Sequence, residues 1–115
     1  MHRQQRLRHR RDFSAVFRGG RAFVYGPLVL RVQSNPDAPA PRFGFAVSRQ
    51  VGGAVVRNRV KRRLRAAACL SGATGHADIV VIARSSAAAA AYADLEGALR
   101  RLLRQAGLLA VEQNG

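Results

Sequence analysis

Within the stretch AVVRNRVKRRLRA, Ala54 to Ala66, six cations fall in the nine residues from Arg57 to Arg65, and no acid accompanies them. Arg57, Arg59, Lys61, Arg62, Arg63 and Arg65 offer positive charge and hydrogen-bond donors, the chemistry that holds phosphate. On a helix turning about 100° per residue, Val56, Val60, Leu64 and Ala67 form one narrow apolar stripe that must dock on the rest of the fold. Arg57, Lys61 and Arg65 then line one flank, Arg59 and Arg63 the other, and Arg62 points away. Like charges at i, i+4 cost such a helix a few tenths of a kcal/mol per pair, and a solvated face ordinarily mixes signs. A polyanion explains the pattern better, since neutralising many phosphates gains affinity by counterion release. Charge alone does not choose between DNA and RNA. A helix that must also lie on a sheet suits backbone and minor-groove contacts of structured RNA better than insertion into a DNA major groove.

Other chemistry is thin. Phe13 and Phe17 sit beside Arg10, Arg11 and Arg18, and rings interleaved with cations can stack unpaired bases, although core packing is the commoner use of such a pair. The carboxylates are scattered, His2, His9 and His76 have no partner at metal spacing, and no nucleophile and base pair is visible, so neither catalytic residues nor a protein-held metal is expected. Val51-Gly52-Gly53 before the basic helix could cradle a phosphate, but two adjacent glycines more often make only a turn. Cys69 is the sole cysteine, which excludes an intramolecular disulfide and points to a reducing compartment.

The elements that must position these residues can be read from pattern. A chain of 115 residues has room for one domain with a modest core, here spanning 1–115. Phe13, Val16 and Phe17 at helical spacing, with Asp12 as N-cap and Gly19-Gly20 as stop, predict a short first helix. RAFVY, LVLRVQ and RFGFAVS, separated by Gly26-Pro27 and the proline-rich NPDAPAP, predict three strands. In the second, Leu28, Leu30 and Val32 oppose Val29, Arg31 and Gln33. In the third, Phe43, Phe45 and Val47 oppose Arg42, Gly44, Ala46 and Ser48. One sheet face is greasy; the small, mildly polar other face is either solvated or open to close approach by something else. The unbroken ADIVVIA reads as a strand buried on both sides, and Leu95, Leu99, Leu102, Leu103 and Ala106 as an amphipathic last helix ending at Gly107. Ala87 to Ala91 is low-complexity linker or frayed helix start. The order is αβββαβα, with a basic N-terminal extension over about 1–9 and a C-terminal tail over about 108–115 expected to be disordered.

Charge divides the chain. The formal net charge is +14, and nineteen of twenty cations are Arg. Met1 to Arg65 holds sixteen Lys and Arg against Asp12 and Asp37, whereas Ala66 to Gly115 holds four cations against four acids. The first half therefore reads as interface and the second as scaffold. No apolar run approaches the roughly 18 residues of a membrane span, and the basic start leads into no apolar segment, so a soluble cytoplasmic protein without membrane partner is expected. A transit peptide is the alternative for the Arg-rich start, against which the basic character continues to Arg65.

RLRHRRDFSAVFRGGR, RFGFAVSRQVGGAVVRNRVKRRLR and ADIVVIAR together resemble the protein component of bacterial ribonuclease P, over nearly the whole chain. The resemblance implies an α/β (α+β) two-layer sandwich, ribosomal-protein-like, whose small mixed sheet includes a left-handed βαβ crossover against the general right-handed rule. It implies a ribozyme subunit: the catalytic RNA cleaves precursor tRNA to free its mature 5′ end using bound Mg²⁺, held mainly through the RNA, while the protein binds that RNA and the substrate. The RNA contacts of the family map onto Arg57, Asn58, Arg59, Lys61, Arg62, Arg63 and Arg65, with Arg49 nearby. The cleft for the single-stranded 5′ leader maps onto Phe13, Phe17, Val29 and Arg31. Some members carry Tyr at the position of Arg31, so a phosphate contact is expected here in place of base stacking. Arg49-Gln50 stands where Lys-Lys is frequent, and Gly53 where Lys or Asn is. No DNA partner is expected. Two rivals remain: a general RNA-binding scaffold, which would bind structured RNA without stimulating cleavage, and a self-sufficient nuclease, which would cleave with no RNA subunit.

Overall fold

The alternation of LVLRVQS and the apolar run ADIVVIA place two strands side by side at the centre of the sheet. In the computed structural model, which describes residues 6, 7 and 9–109, the elements are α1 (Arg10–Gly19), β1 (Arg21–Tyr25), β2 (Leu28–Ser34), β3 (Arg42–Ala46), α2 (Ala54–Leu70), β4 (Ala77–Ala83), a 3-10 turn over Ser85–Ala88, and α3 (Tyr92–Gln105). The sheet order is β1-β2-β4-β3. β1 and β2 form an antiparallel hairpin, β2 and β4 pair antiparallel, and β3 runs parallel to β4, to which it connects through α2. This is the expected mixed α/β fold.

One sheet face holds most of the core. Leu28, Leu30 and Val32 of β2 and Ile79 and Val81 of β4 pack against Val60 and Leu64 of α2 and Leu95, Leu99, Leu102 and Leu103 of α3. α1 lies on the opposite face, where Val16 is fully buried with Val80 and Leu7. A fully buried Leu or Val side chain contributes about 1.5–3 kcal/mol, so these alternating positions set the layers. Across the sheet, Asp78 of β4 is buried, and Arg42 of β3 grips it with Nε and Nη2, both at 2.8 Å, while Asn35 Nδ2 adds a bond of 3.1 Å. That pairing holds the Arg42 guanidinium above its usual pKa.

Several expectations need correction. α1 begins at Arg10, because the Asp12 and Phe13 amides donate to the His9 carbonyl; Asp12 is therefore in the first turn, where its charge favours the helix dipole, and is not the N-cap. Gly20 ends α1 in extended conformation, and glycine is required there because a Cβ would collide with the carbonyl oxygens of Val16 and Val32. β3 stops at Ala46 and leaves Ser48 exposed beyond the sheet. The alanine run divides: Ala87 and Ala88 end the 3-10 turn, Ala89 and Ala90 link it to α3, and Ala91 stands at the N-cap position of α3. Towards the chain's start, Leu7 is buried and its amide donates to Phe43 O at 2.8 Å, so Arg6 and Leu7 of the basic extension lie against the edge of β3. At its end, Gly107 turns the chain at φ 77° and the Leu108 amide donates to Leu103 O, a Schellman closure that buries Leu108 against the helix it ends. The expected disordered tail therefore cannot include Leu108 and Leu109; the rest of it, 110–115, lies outside the described residues, as do 1–5 and residue 8.

Candidate nucleic-acid interface

α2 runs for seventeen residues, Ala54–Leu70, and buries Val60, Leu64, Ala67 and Ala68. Val56, the first residue of the expected stripe, is only half-buried, because the helix starts before it reaches the core. The acid-free first turn and the absence of a side-chain cap at Gly53 leave the helix with no internal anion at its positive end. The cations divide as their spacing dictates. Arg62 and Asn58 are exposed; Arg57, Lys61 and Arg65 are half-buried along one flank, and Arg59 and Arg63 along the other.

The second flank has a further task that sequence spacing did not reveal. Arg59 Nη2 donates to Ala88 O at 2.9 Å and Arg63 Nη1 to Ala90 O at 3.2 Å, tying α2 to the turn before α3. Each guanidinium has five N–H donors, so most remain available after these bonds. The Nε atoms of Arg57, Arg59 and Arg65 are buried and have no acceptor among the described residues. Such groups are expensive to leave unsatisfied, and the outer nitrogens of the same guanidinium groups are the ones an approaching anion would meet first. Arg49 is exposed on the turn between β3 and α2.

On the other face, strand register assembles a second surface. Val24, Val29, Ile82 and Ala46 line up across the four strands as one apolar row. The neighbouring row is Ala22, Arg31, Val80 and Gly44. α1 covers the second row: Phe13 stands over Gly44, where a Cβ would lie 2.5 Å from its ring, and Val16 packs on Val80. The close approach that small residues permit on this face is thus made by the chain's own Phe13. The first row stays partly open, with Val24 57% exposed and Val29, Ile82 and Ala46 half-buried, and Phe17 stands at 41% exposure on α1. The row makes an apolar shelf, and the Phe17 ring is tied to the neighbouring row through Arg31.

Arg31 stands on the sheet face beside α1, as expected, and is also engaged within the chain. Its Nη2 donates to Phe17 O at 2.6 Å and to Gly20 O at 3.3 Å, and its guanidinium lies 5.7 Å from the centre of the Phe17 ring. It therefore holds the last turn of α1 and the ring of Phe17, and a phosphate could meet only its remaining donors. Alternation in β3 already puts Ala46 on this face, whereas Val24 and Ile82 were missed as shelf residues, and Val29, Ala46 and Ile82 join Val24 only through the register. The period-two signal was there for Val24 and Ile82, but ADIVVIA buries both faces and does not say which one a helix leaves open. Among the described residues no group of three or more His, Cys, Asp or Glu side chains is placed to hold a metal ion.

Comparison with known proteins gives a consistent answer. The family model described as Ribonuclease P matches residues 1–107. The Ribonuclease P protein component of Acidothermus cellulolyticus is 48% identical over 101 residues, covering 85% of this chain and 84% of that protein. That of Gluconacetobacter diazotrophicus is 39% identical over 113 residues, covering 96% and 97%. Among solved structures, a Staphylococcus aureus RNase P protein mutant with defective mRNA degradation activity superposes with a TM-score of 0.84 at 27% identity, over 91% of this chain and 90% of that one.

Proposed function

The chain belongs to the ribonuclease P protein family, and from that membership we propose how its surfaces divide the work: α2 docks on the catalytic RNA, and the shelf beside α1 takes the single-stranded 5′ leader of precursor tRNA. As a ribonuclease P protein subunit it acts in tRNA processing. The observation that carries the division of labour is that the acid-free helix and the apolar shelf lie on opposite faces of one sheet. One small protein can then touch the RNA subunit and the substrate at once without the two competing for a surface.

Each surface matches its ligand's chemistry. The α2 cations meet phosphate oxygens, with Arg62 and Asn58 foremost because they are exposed, and with Arg57, Lys61, Arg65, Arg59 and Arg63 flanking them. Arg49 extends the same surface towards the β3 end. On the shelf, Phe17 stacks an unpaired base while Val29 and its row give the leader an apolar floor, and Phe13 keeps α1 at the distance that leaves the shelf open. Arg31 orients Phe17 and offers its free donors to a leader phosphate.

Cleavage itself falls to the RNA. The described carboxylates are not gathered into a metal site, and Asp78 is engaged by Arg42 and Asn35. The family resemblance, in which the RNA holds the Mg²⁺, is what supports leaving both the metal and the cleavage chemistry mainly to the RNA subunit. RNA, not DNA, is the polyanion this family membership supports. Among the described residues no helix is long and apolar enough to cross a membrane.

Phe17→Ala tests the leader shelf. In the assembled enzyme it should weaken precursor tRNA binding by about 1–3 kcal/mol, the worth of one stacked base, and leave mature tRNA binding unchanged. An equal loss for both would show that the ring serves only the fold.

A further inference from the structure

In the sequence, the second half of the chain is electrically neutral, but the acids among its described residues form no ion pair with its cations. Asp78 is spent on Arg42, a cation of the first half, and Asp94 accepts the Ala91 amide at the start of its own helix. Arg100, Arg101 and Arg104 are all exposed on the outer side of α3, and neither Asp94 nor Glu96 comes within ion-pair distance of them among the described residues, where the single ion pair is Arg42 with Asp78. Arg100 and Arg104 repel each other at i, i+4.

The edge strand extends this patch. Arg21, Phe23 and Tyr25 of β1 pair with Val32, Leu30 and Leu28, which places them on the face that α3 covers. The Arg21 guanidinium lies 5.4 Å from the centre of the Phe23 ring and that of Arg101 4.1 Å from Tyr25, itself 40% exposed. A cation over a ring face is held there by the ring's quadrupole, which keeps both guanidinium groups at the surface. Beside Tyr25 and Arg101 opens a concavity of about 830 Å³, lined also by Ala90, Ala93 and Gly97 and, at one side, by Asp94, whose carboxylate accepts the Ala91 amide. A Cβ on Gly97 would meet nothing within 4 Å, so no packing inside the protein accounts for a mid-helix glycine there.

We propose that the α3 and β1 patch, Arg21, Arg100, Arg101 and Arg104 around Tyr25, is a second phosphate-binding surface for the RNA subunit, with the backbone of structured RNA approaching over Gly97. The inference rests on the α2 docking proposed above. α2 and α3 pack side by side on the same sheet face, so RNA seated on α2 meets the α3 arginines by extension, whereas the leader lies on the opposite face. The footprint on the RNA subunit thus spans both helices.

The test is the affinity of the full chain for a bacterial ribonuclease P RNA between about 50 and 200 mM salt, for wild type, for Arg100→Gln/Arg101→Gln/Arg104→Gln, and for Gly97→Leu. The triple variant should keep its circular dichroism and thermal midpoint while the slope of log affinity against log salt shrinks by about 2–3, from roughly 0.7–0.9 per lost phosphate contact. Gly97→Leu should raise the thermal midpoint, since leucine favours helix over glycine, and yet weaken assembly by crowding the approach. An unchanged slope in the triple variant, or Gly97→Leu assembling as wild type, overturns the inference and leaves α2 docking intact. A loss confined to precursor tRNA binding by the assembled enzyme would make the substrate the occupant and also overturn it. If wild type fails to bind the RNA at all, the α2 reading falls and this inference with it.

Discussion

Arginine does three different jobs at the residue scale, and neighbours decide which. Arg42 is locked in a two-pronged grip on buried Asp78, Arg31 clamps carbonyls at the end of α1, and Arg62 stands exposed on α2. The difference is measurable within α2. Arg62→Ala should weaken affinity for the RNA subunit with no change in thermal stability, whereas Arg59→Ala should weaken affinity and also cost about 0.5–1.5 kcal/mol of stability through the bond to Ala88 O. Chemical denaturation beside RNA titration separates the two. Arg31→Lys keeps the charge but loses the planar fork, so it should loosen Phe17 and lower precursor affinity while leaving affinity for the RNA subunit unchanged. Residue types and helical spacing made the α2 cations legible in the sequence. The partner of Arg31 was not legible, because its carbonyls come from residues 11 and 14 positions away that meet it only once α1 folds over the sheet.

At the scale of elements, the position of α1 is set by absent side chains as much as by present ones. Gly44 admits the Phe13 ring and Gly20 admits the carbonyls of Val16 and Val32. Gly44→Ala should push Phe13 off the sheet and destabilise the fold by about 1–3 kcal/mol, with precursor binding falling more than RNA-subunit binding; a thermal melt and two titrations check this. Asp78→Asn removes the charge that Arg42 grips and should cost about 1.5–3 kcal/mol, read by the same melt. The pattern of apolar residues located every helix and strand, since alternation and 3.6-residue spacing report burial directly. It misplaced the start of α1 and the end of the fold. Asp12 looks like a cap by residue type, but the backbone bonds to His9 O place the first turn earlier. Leu108 follows a glycine that reads as a stop, and the turn at that glycine is what returns it to the core.

On the scale of the whole molecule, one four-stranded sheet separates a basic layer built on α2 from an apolar shelf beside α1. Summed charge along the chain located the first, but it could not show that Asp78 is engaged by Arg42 of the first half and that Asp94 accepts the Ala91 amide of its own helix. The central claim is that this protein enables an RNA to cleave precursor tRNA and does not cleave by itself. The direct measurement is cleavage of 5′-labelled precursor tRNA at low Mg²⁺ by the protein alone, by a bacterial ribonuclease P RNA alone, and by the two together. Release of the leader at the mature 5′ end only in the mixture is the expected result; cleavage by the protein alone, or tight RNA binding with no stimulation, would contradict it.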